Sequence, residues 1–275
     1  MSLRIAHNID ALAAHRHAGI AADRIAVAMR RLSSGLRINS AADDAAGLGI
    51  SERMRGQIRS LEMANRNIQD GISLLNTAEA ALDEVHSILH RARELQVQYN
   101  NGTNDINAKM SIARELIQLS NEIGRIEQTT TFNGVPLLQS ATTTITLQVG
   151  ANAGDTISFS MADLFGIGTA LVRPVTFFTP PGVPANINWM DVHIDDVATA
   201  RGRLGSVVNR LEHTLNDNQS KIEAYMSAES RIRDADMAKE MGELTRQQVL
   251  QQTSLAMLRQ TQRPGNTARV NDLLK

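Results

Sequence analysis

The chain has 275 residues, with 28 Lys and Arg against 29 Asp and Glu, so its formal net charge is −1 with all seven histidines neutral. That balance excludes a generally basic nucleic-acid binder and a polyanionic disordered tail, and the absence of cysteine excludes a disulfide scaffold, a thiolate metal site and a cysteine nucleophile. Hydrophobic residues make up 42% but aromatics only 3%, and five of those (Phe159, Phe165, Phe177, Phe178, Trp189) lie between Ala141 and Met190, so the rest of the core has to be built from Leu, Ile, Val, Met and Ala.

Apolar residues recur at alternating spacings of four and three over long distances, the pattern of helices that lie along other helices. Ile25, Met29, Leu32 and Leu36 form the first such line. The stretch Ser33-Ser34-Gly35 and the stretch Asn39-Ser40-Ala41-Ala42-Asp43-Asp44 then place a glycine and N-cap candidates between two helices. Ser34, Gly35, Asn39 and Ser40 are therefore expected to form a hinge, with Asn39 or Ser40 capping the next helix and Asp43 and Asp44 complementing its positive end.

A second helix, about 43–98, carries two apolar stripes: Ile68, Ile72, Leu75, Leu82 and Leu89, and Leu74, Ala78, Ala81, Val85, Ile88, Ala92 and Leu95. Two stripes require neighbours on two sides. Asn100-Asn101-Gly102-Thr103-Asn104 signals a turn, after which Ile112, Leu116, Leu119, Ile123 and Ile126 predict a third helix over about 105–128. Residues of about 142–161 alternate apolar and polar on either side of Gly150-Ala151-Asn152-Ala153-Gly154-Asp155, which predicts a β-hairpin. The Pro- and Gly-rich stretch of about 166–190 reads as a loop. Val197, Leu204, Val208, Leu211, Leu215, Ile222, Tyr225 and Ile232 then predict a helix over about 193–230. The expected fold is mainly α: an elongated bundle of long, coiled-coil-like helices with a small β-hairpin region.

The two ends share a property. Met1 to Ser40 holds six Arg and two Asp and fills much of its apolar face with alanine, while the stripe of the C-terminal end (Met237, Met241, Leu244, Leu255, Leu258) again lacks aromatics. Narrow Ala-rich helices bury too little to hold themselves, so the ends are expected to order when copies of the chain surround them. Ile25, Met29, Leu32, Met241, Leu244, Leu255 and Leu258 are the expected polymerisation stripes.

Arg31-Leu32-Ser33-Ser34-Gly35-Leu36-Arg37-Ile38-Asn39-Ser40-Ala41-Ala42-Asp43-Asp44-Ala45-Ala46-Gly47, together with Asn67-Ile68-Gln69-Asp70-Gly71-Ile72-Ser73, resembles bacterial flagellin. The likeness continues through Leu89 to Gln98, Thr131-Phe132-Asn133-Gly134, Leu147 to Asn152 and Ser230 to Ala238, and covers roughly 1–165 and 190–262 in collinear order. The resemblance implies a self-polymerising subunit of the extracellular flagellar filament. It also implies paired terminal helices forming an inner-core domain (about 1–41 plus 235–275) and an outer domain (about 42–234). Partners implied by it are other copies of the chain, hook-associated junction and cap proteins, an export chaperone on the C-terminal region, and an animal innate immune receptor. By the same resemblance, Arg91, Arg93, Glu94, Leu95, Arg114 and Glu115 mark a receptor or inter-subunit surface. Export without a cleaved signal peptide agrees with the first twenty residues, whose charges and histidines leave no apolar core for one.

His86 and His90 stand at i, i+4, the spacing by which two imidazoles share a metal, but no His-Glu-x-x-His motif and no evident third ligand accompany them. No metal, cofactor or catalytic residue is expected. Gly47-Leu48-Gly49 lacks the third glycine and the preceding strand of a dinucleotide loop. The uncharged stretch Pro174 to Met190 contains four prolines and cannot span a membrane. Two other readings stand beside the filament subunit: a hook-filament junction protein, and an amphipathic helical adaptor that binds a partner or a membrane surface through the basic first forty residues.

Overall fold

The computed structural model describes residues 9–138, 144–160 and 187–261. These residues form α1 (Ile9–Ser34), α2 (Ala45–Tyr99), α3 (Ile106–Thr129), β1 (Thr131–Phe132), β2 (Val135–Pro136), β3 (Thr144–Gln148), β4 (Thr156–Ser160), α4 (Ile187–Arg233) and α5 (Met237–Thr261). The architecture is mainly α with two small antiparallel hairpins. Most of the predicted loop of about 166–190 lies outside the described residues; its last four, Ile187 to Met190, are the first turn of α4.

Packing divides the chain into two units, Gln57–Glu223 and Met1–Gly56 with Ala224–Lys275. The division falls inside α2 and α4, whereas the sequence reading put it in the connections at 41/42 and 234/235. The reason is that those connections are bonded to each other. Leu36 bridges Asp234, the Arg37 N–H donates to the Arg233 carbonyl at 2.6 Å, and the Ala235 N–H donates to the Gly35 carbonyl at 2.9 Å.

In the unit Gln57–Glu223, one apolar cluster gathers buried side chains of α2, α3, α4 and both hairpins. On α2 the two predicted stripes merge into one broad face. Ile68, Leu75, Ala78, Leu82, Val85, Leu89 and Ala92 run down its centre in three-four rhythm, flanked by Leu74, Ile88 and Leu95. The β3–β4 hairpin pairs Ile145 with Phe159 and Leu147 with Ile157. It is fastened by two asparagines, since Asn67 Nδ2 donates to the Gln148 carbonyl at 3.2 Å and buried Asn218 Nδ2 donates to the Val149 carbonyl at 2.7 Å. Gly71 admits Leu147, whose Cδ1 would stand 2.3 Å from a β-carbon there. The segment Asn67 to Gly71 is thus the seat of the hairpin. The β1–β2 hairpin was not foreseen. Asn133 (φ 48°) and Gly134 (φ 80°) form its two-residue turn, both left-handed as a type I′ turn requires, and the dipeptide Asn-Gly is the signal that could have found it.

In the other unit, α1 and α5 pair antiparallel. Arg31 Nη1 meets Glu240 Oε1 at 3.1 Å at one end of the pair, and Ala14 and Ala21 lie with Ser254 and Gln247 further along. α1 stops at Gly35, whose φ of +72° supplies the left-handed residue after the helix and whose N–H donates to the Arg31 carbonyl. α5 starts at Asp236, whose Oδ1 accepts from the N–H groups of Ala238 and Lys239.

Candidate assembly surface

The terminal pair is unusual in what it turns inward. On α1 the positions facing α5 are Ala14, Ala21 and Ala28, all buried, with Ala11, Ala18, Ile25 and Leu32 half-buried in the same heptad rhythm. On α5 the matching positions are Leu244 and Gln247, buried, and Gln251, Ser254 and Leu258, half-buried. Small and polar side chains therefore fill much of the seam, with Ile25, Leu32, Leu244 and Leu258 the larger apolar residues in it. The Gln247 amide is kept satisfied there by donating to Glu243 Oε1 at 2.6 Å.

Most of the larger apolar side chains point away. Leu12, Ile20, Met29, Met237, Met241, Val249, Leu250, Leu255 and Met257 are all exposed. Of the expected polymerisation stripes, Met29, Met241 and Leu255 are thus on the outside, Ile25, Leu32 and Leu258 are half-buried, and Leu244 is buried against α1. The stripes read from the sequence are split between two faces, because the helices meet on their alanine and glutamine lines. A groove of about 650 Å³ runs along the pair, lined by Ala13, His17, Ile20, Arg24, Leu250 and Met257 among others. An apolar face of this extent on an isolated chain is the mark of an interaction surface.

The predicted hinge is closely bonded. Ser34 Oγ accepts from the Leu36 N–H at 3.2 Å and from Asn39 Nδ2 at 2.7 Å. Asp43 Oδ2 accepts from the Ser40 N–H and from the Ser40 hydroxyl, both at 2.9 Å, and from the Asn39 N–H at 3.2 Å. These donors, Ser40 foremost, hold the Asp43 carboxyl below its ordinary pKa. The helix cap is Asp44, whose Oδ1 accepts from the Gly47 N–H at 2.9 Å, and not Asn39 or Ser40 as expected. Ser40 opens a turn, with the Asp43 N–H donating to its carbonyl, and this turn spends Asn39 and Ser40 before α2 begins. Nearby, Arg233 Nη1 donates to Glu52 Oε1 at 2.7 Å, which pulls the Glu52 carboxyl below its usual range.

The residues expected on a receptor or inter-subunit surface fall into two groups. Arg91 is exposed on α2 and forks onto Glu115 of α3 (2.9 and 3.2 Å) while also meeting Glu94 at 3.2 Å. Arg93 joins Asp191 of α4 at 2.5 Å, and Arg114 is exposed on α3. Leu95, in contrast, is 2% exposed and belongs to the apolar cluster of its own chain. It sits on the flank of the α2 core line, which the sequence stripe already contained, and so is not a surface residue here.

Comparison with known proteins bears on all of this. Residues 5–143 match the family model of the bacterial flagellin N-terminal helical region, and residues 187–266 match that of the bacterial flagellin C-terminal helical region. The chain is 51% identical over 259 residues to a flagellin of Halalkalibacterium halodurans, covering 93% of this chain and 94% of that one. It is 45% identical over 298 residues to a flagellin of Bacillus subtilis, covering 96% and 98%. A flagellar filament 31.3 kDa core protein of Treponema maltophilum is 35% identical over 271 residues, covering 93% and 95%.

Proposed function

The chain belongs to the bacterial flagellin family and is a structural subunit of a flagellar filament, and from that premise we propose how its two units divide the task. The terminal helices, about 1–41 with 235–275, form the inner core of the filament, and about 42–234 forms the surrounding layer of subunit contacts. One observation carries this reading: α1 and α5 line much of their seam with alanine, glutamine and serine and leave most of their large apolar residues outside. In the filament those residues insert into the grooves of neighbouring copies, so that the ends gain most of their buried area only on assembly.

The bonded connections at Ser34-Gly35 and Asn39-Ser40 carry the chain between the two layers and act as the hinge. Arg91, Arg93, Glu94, Arg114 and Glu115 stand at a contact between copies, and in the free subunit form the face that an animal innate receptor reads. Subunits leave the cell and assemble outside it. An export chaperone covers the exposed apolar side of α5 before assembly, and hook-associated junction and cap proteins abut the same terminal helices. Among the described residues no helix is long and apolar enough to cross a membrane.

The test is removal of residues 1–20, followed by electron microscopy of seeded elongation. The truncated chain should stay soluble and largely helical yet fail to extend seeds. Normal elongation would overturn the inner-core role. A chain that floats with liposomes and never forms tubes would favour the amphipathic adaptor, and one that only caps short seeds would favour the junction protein.

A further inference from the structure

One pair of side chains takes no part in the filament reading. His86 and His90 lie one turn apart on α2 with their Nε2 atoms 3.0 Å apart, ring centroids at 4.4 Å and ring planes at 86°. We propose that these two imidazoles chelate one divalent transition-metal ion per chain, of the copper(II) or nickel(II) class. At a metal–nitrogen distance of about 2.0–2.1 Å, a 3.0 Å separation corresponds to a ligand–metal–ligand angle of about 94°. That is the right angle between adjacent positions of a tetragonal ion, whereas a tetrahedral zinc would need the nitrogens about 3.3 Å apart.

Arg201 of α4, the cation nearest the pair, is itself tied to Asp83 at 2.8 Å and to Glu79 at 3.7 Å. His90 is exposed, so water reaches the remaining coordination positions.

Two features limit the affinity. No group of three or more metal-ligating side chains exists among the described residues, so the protein supplies two nitrogens and solvent the rest. Chelation also moves the His86 proton to Nδ1, which is buried without a partner and so lacks the outer-shell acceptor that strengthens most metal-bound histidines.

The experiment titrates the monomeric full-length chain with copper(II) chloride by calorimetry and records the electron paramagnetic resonance of the bound ion. The wild type should bind one ion per chain with a two-nitrogen signature, and its melting temperature should rise by a few degrees with saturating metal. His90→Gln, an exposed change, and His86→Gln should each weaken binding at least tenfold and leave a one-nitrogen signature. His213→Gln, an exposed change on α4, should alter nothing. Retention of wild-type affinity and the two-nitrogen signature in His90→Gln, with an unchanged circular dichroism spectrum, would overturn the proposal, as would the absence of binding heat in the wild type.

Discussion

The two units of this chain use similar helices to opposite ends. In Gln57–Glu223, leucine, isoleucine and valine of α2, α3 and α4 close on one another, and side chains such as Ile68, Leu75 and Leu116 lose all contact with solvent. In the unit of the two chain ends, the buried apolar residues among those described are Ala14, Ala21, Ala28, Ile38 and Leu244, while twelve large apolar side chains are exposed. The first unit closes its core within the single chain. The second leaves most of its large apolar side chains outside its helix pair. The lesson is that a heptad rhythm reports where two helices meet but not whether the meeting satisfies them.

The contrast can be broken most forcefully in the closed unit. Leu116→Ala removes a fully buried side chain and should cost about 3 kcal/mol, lowering the melting temperature of the free subunit by about 8 °C in calorimetry. Met241→Ala, at a residue 52% exposed, should leave that temperature unchanged but slow seeded elongation. A Met241→Ala chain that melts early and elongates normally would reverse the assignment of the two surfaces.

A smaller effect is expected where the β3–β4 hairpin is fastened. Asn218→Ala strands the buried Val149 carbonyl and should cost about 2 kcal/mol in denaturant unfolding. Equal stability of the variant would mean that the hairpin is not held there. At the ends, Asp236→Ala removes the cap of α5 and should cost about 1 kcal/mol, read as faster amide exchange in the first turns of α5 while α2 and α3 keep their protection.

The smallest expected effects separate the units by pH. His193, packed 3.9 Å from Trp189, has its pKa lowered chiefly by burial, with Asp196 opposing. The unfolded chain binds the proton more readily, so stability in Gln57–Glu223 falls as pH drops below the ordinary histidine value of 6.5 toward the lowered folded one. Glu52 in the other unit is lowered by its bond from Arg233; its contribution is present above the ordinary value of 4.5 and is lost only as pH falls through the lowered folded one. Amide exchange at decreasing pH should therefore loosen the closed unit first. His193→Gln should lessen that earlier loss, with His86 accounting for the part that remains, and an unchanged profile in the variant would remove His193 as a cause.

Much of the fold was legible because the helices are long and their period regular. Leu82, Val85, Leu89 and Ala92 announce their face from spacing alone, and so do Ile112, Leu116 and Ile123. The β1–β2 hairpin was missed because two-residue strands carry no alternation, leaving only Asn133-Gly134 as a sign. The cap of α2 was misplaced because four polar candidates stand within six residues, and which of them caps depends on the turn that Ser40 and Asp43 close. Leu95 was set on a surface by likeness, although its own spacing put it beside the core line.

The amino-acid order by itself determined the helices, their lengths and the poverty of the ends in bulky core residues, since periodicity and composition act locally along the chain. Tertiary structure alone decided which line of each terminal helix faces inward. An Ala-rich helix offers several lines of similar hydrophobicity, and close approach of two backbones selects the one with the smallest side chains. That choice left Met29, Met241 and Leu255 outside, on the surface proposed for assembly.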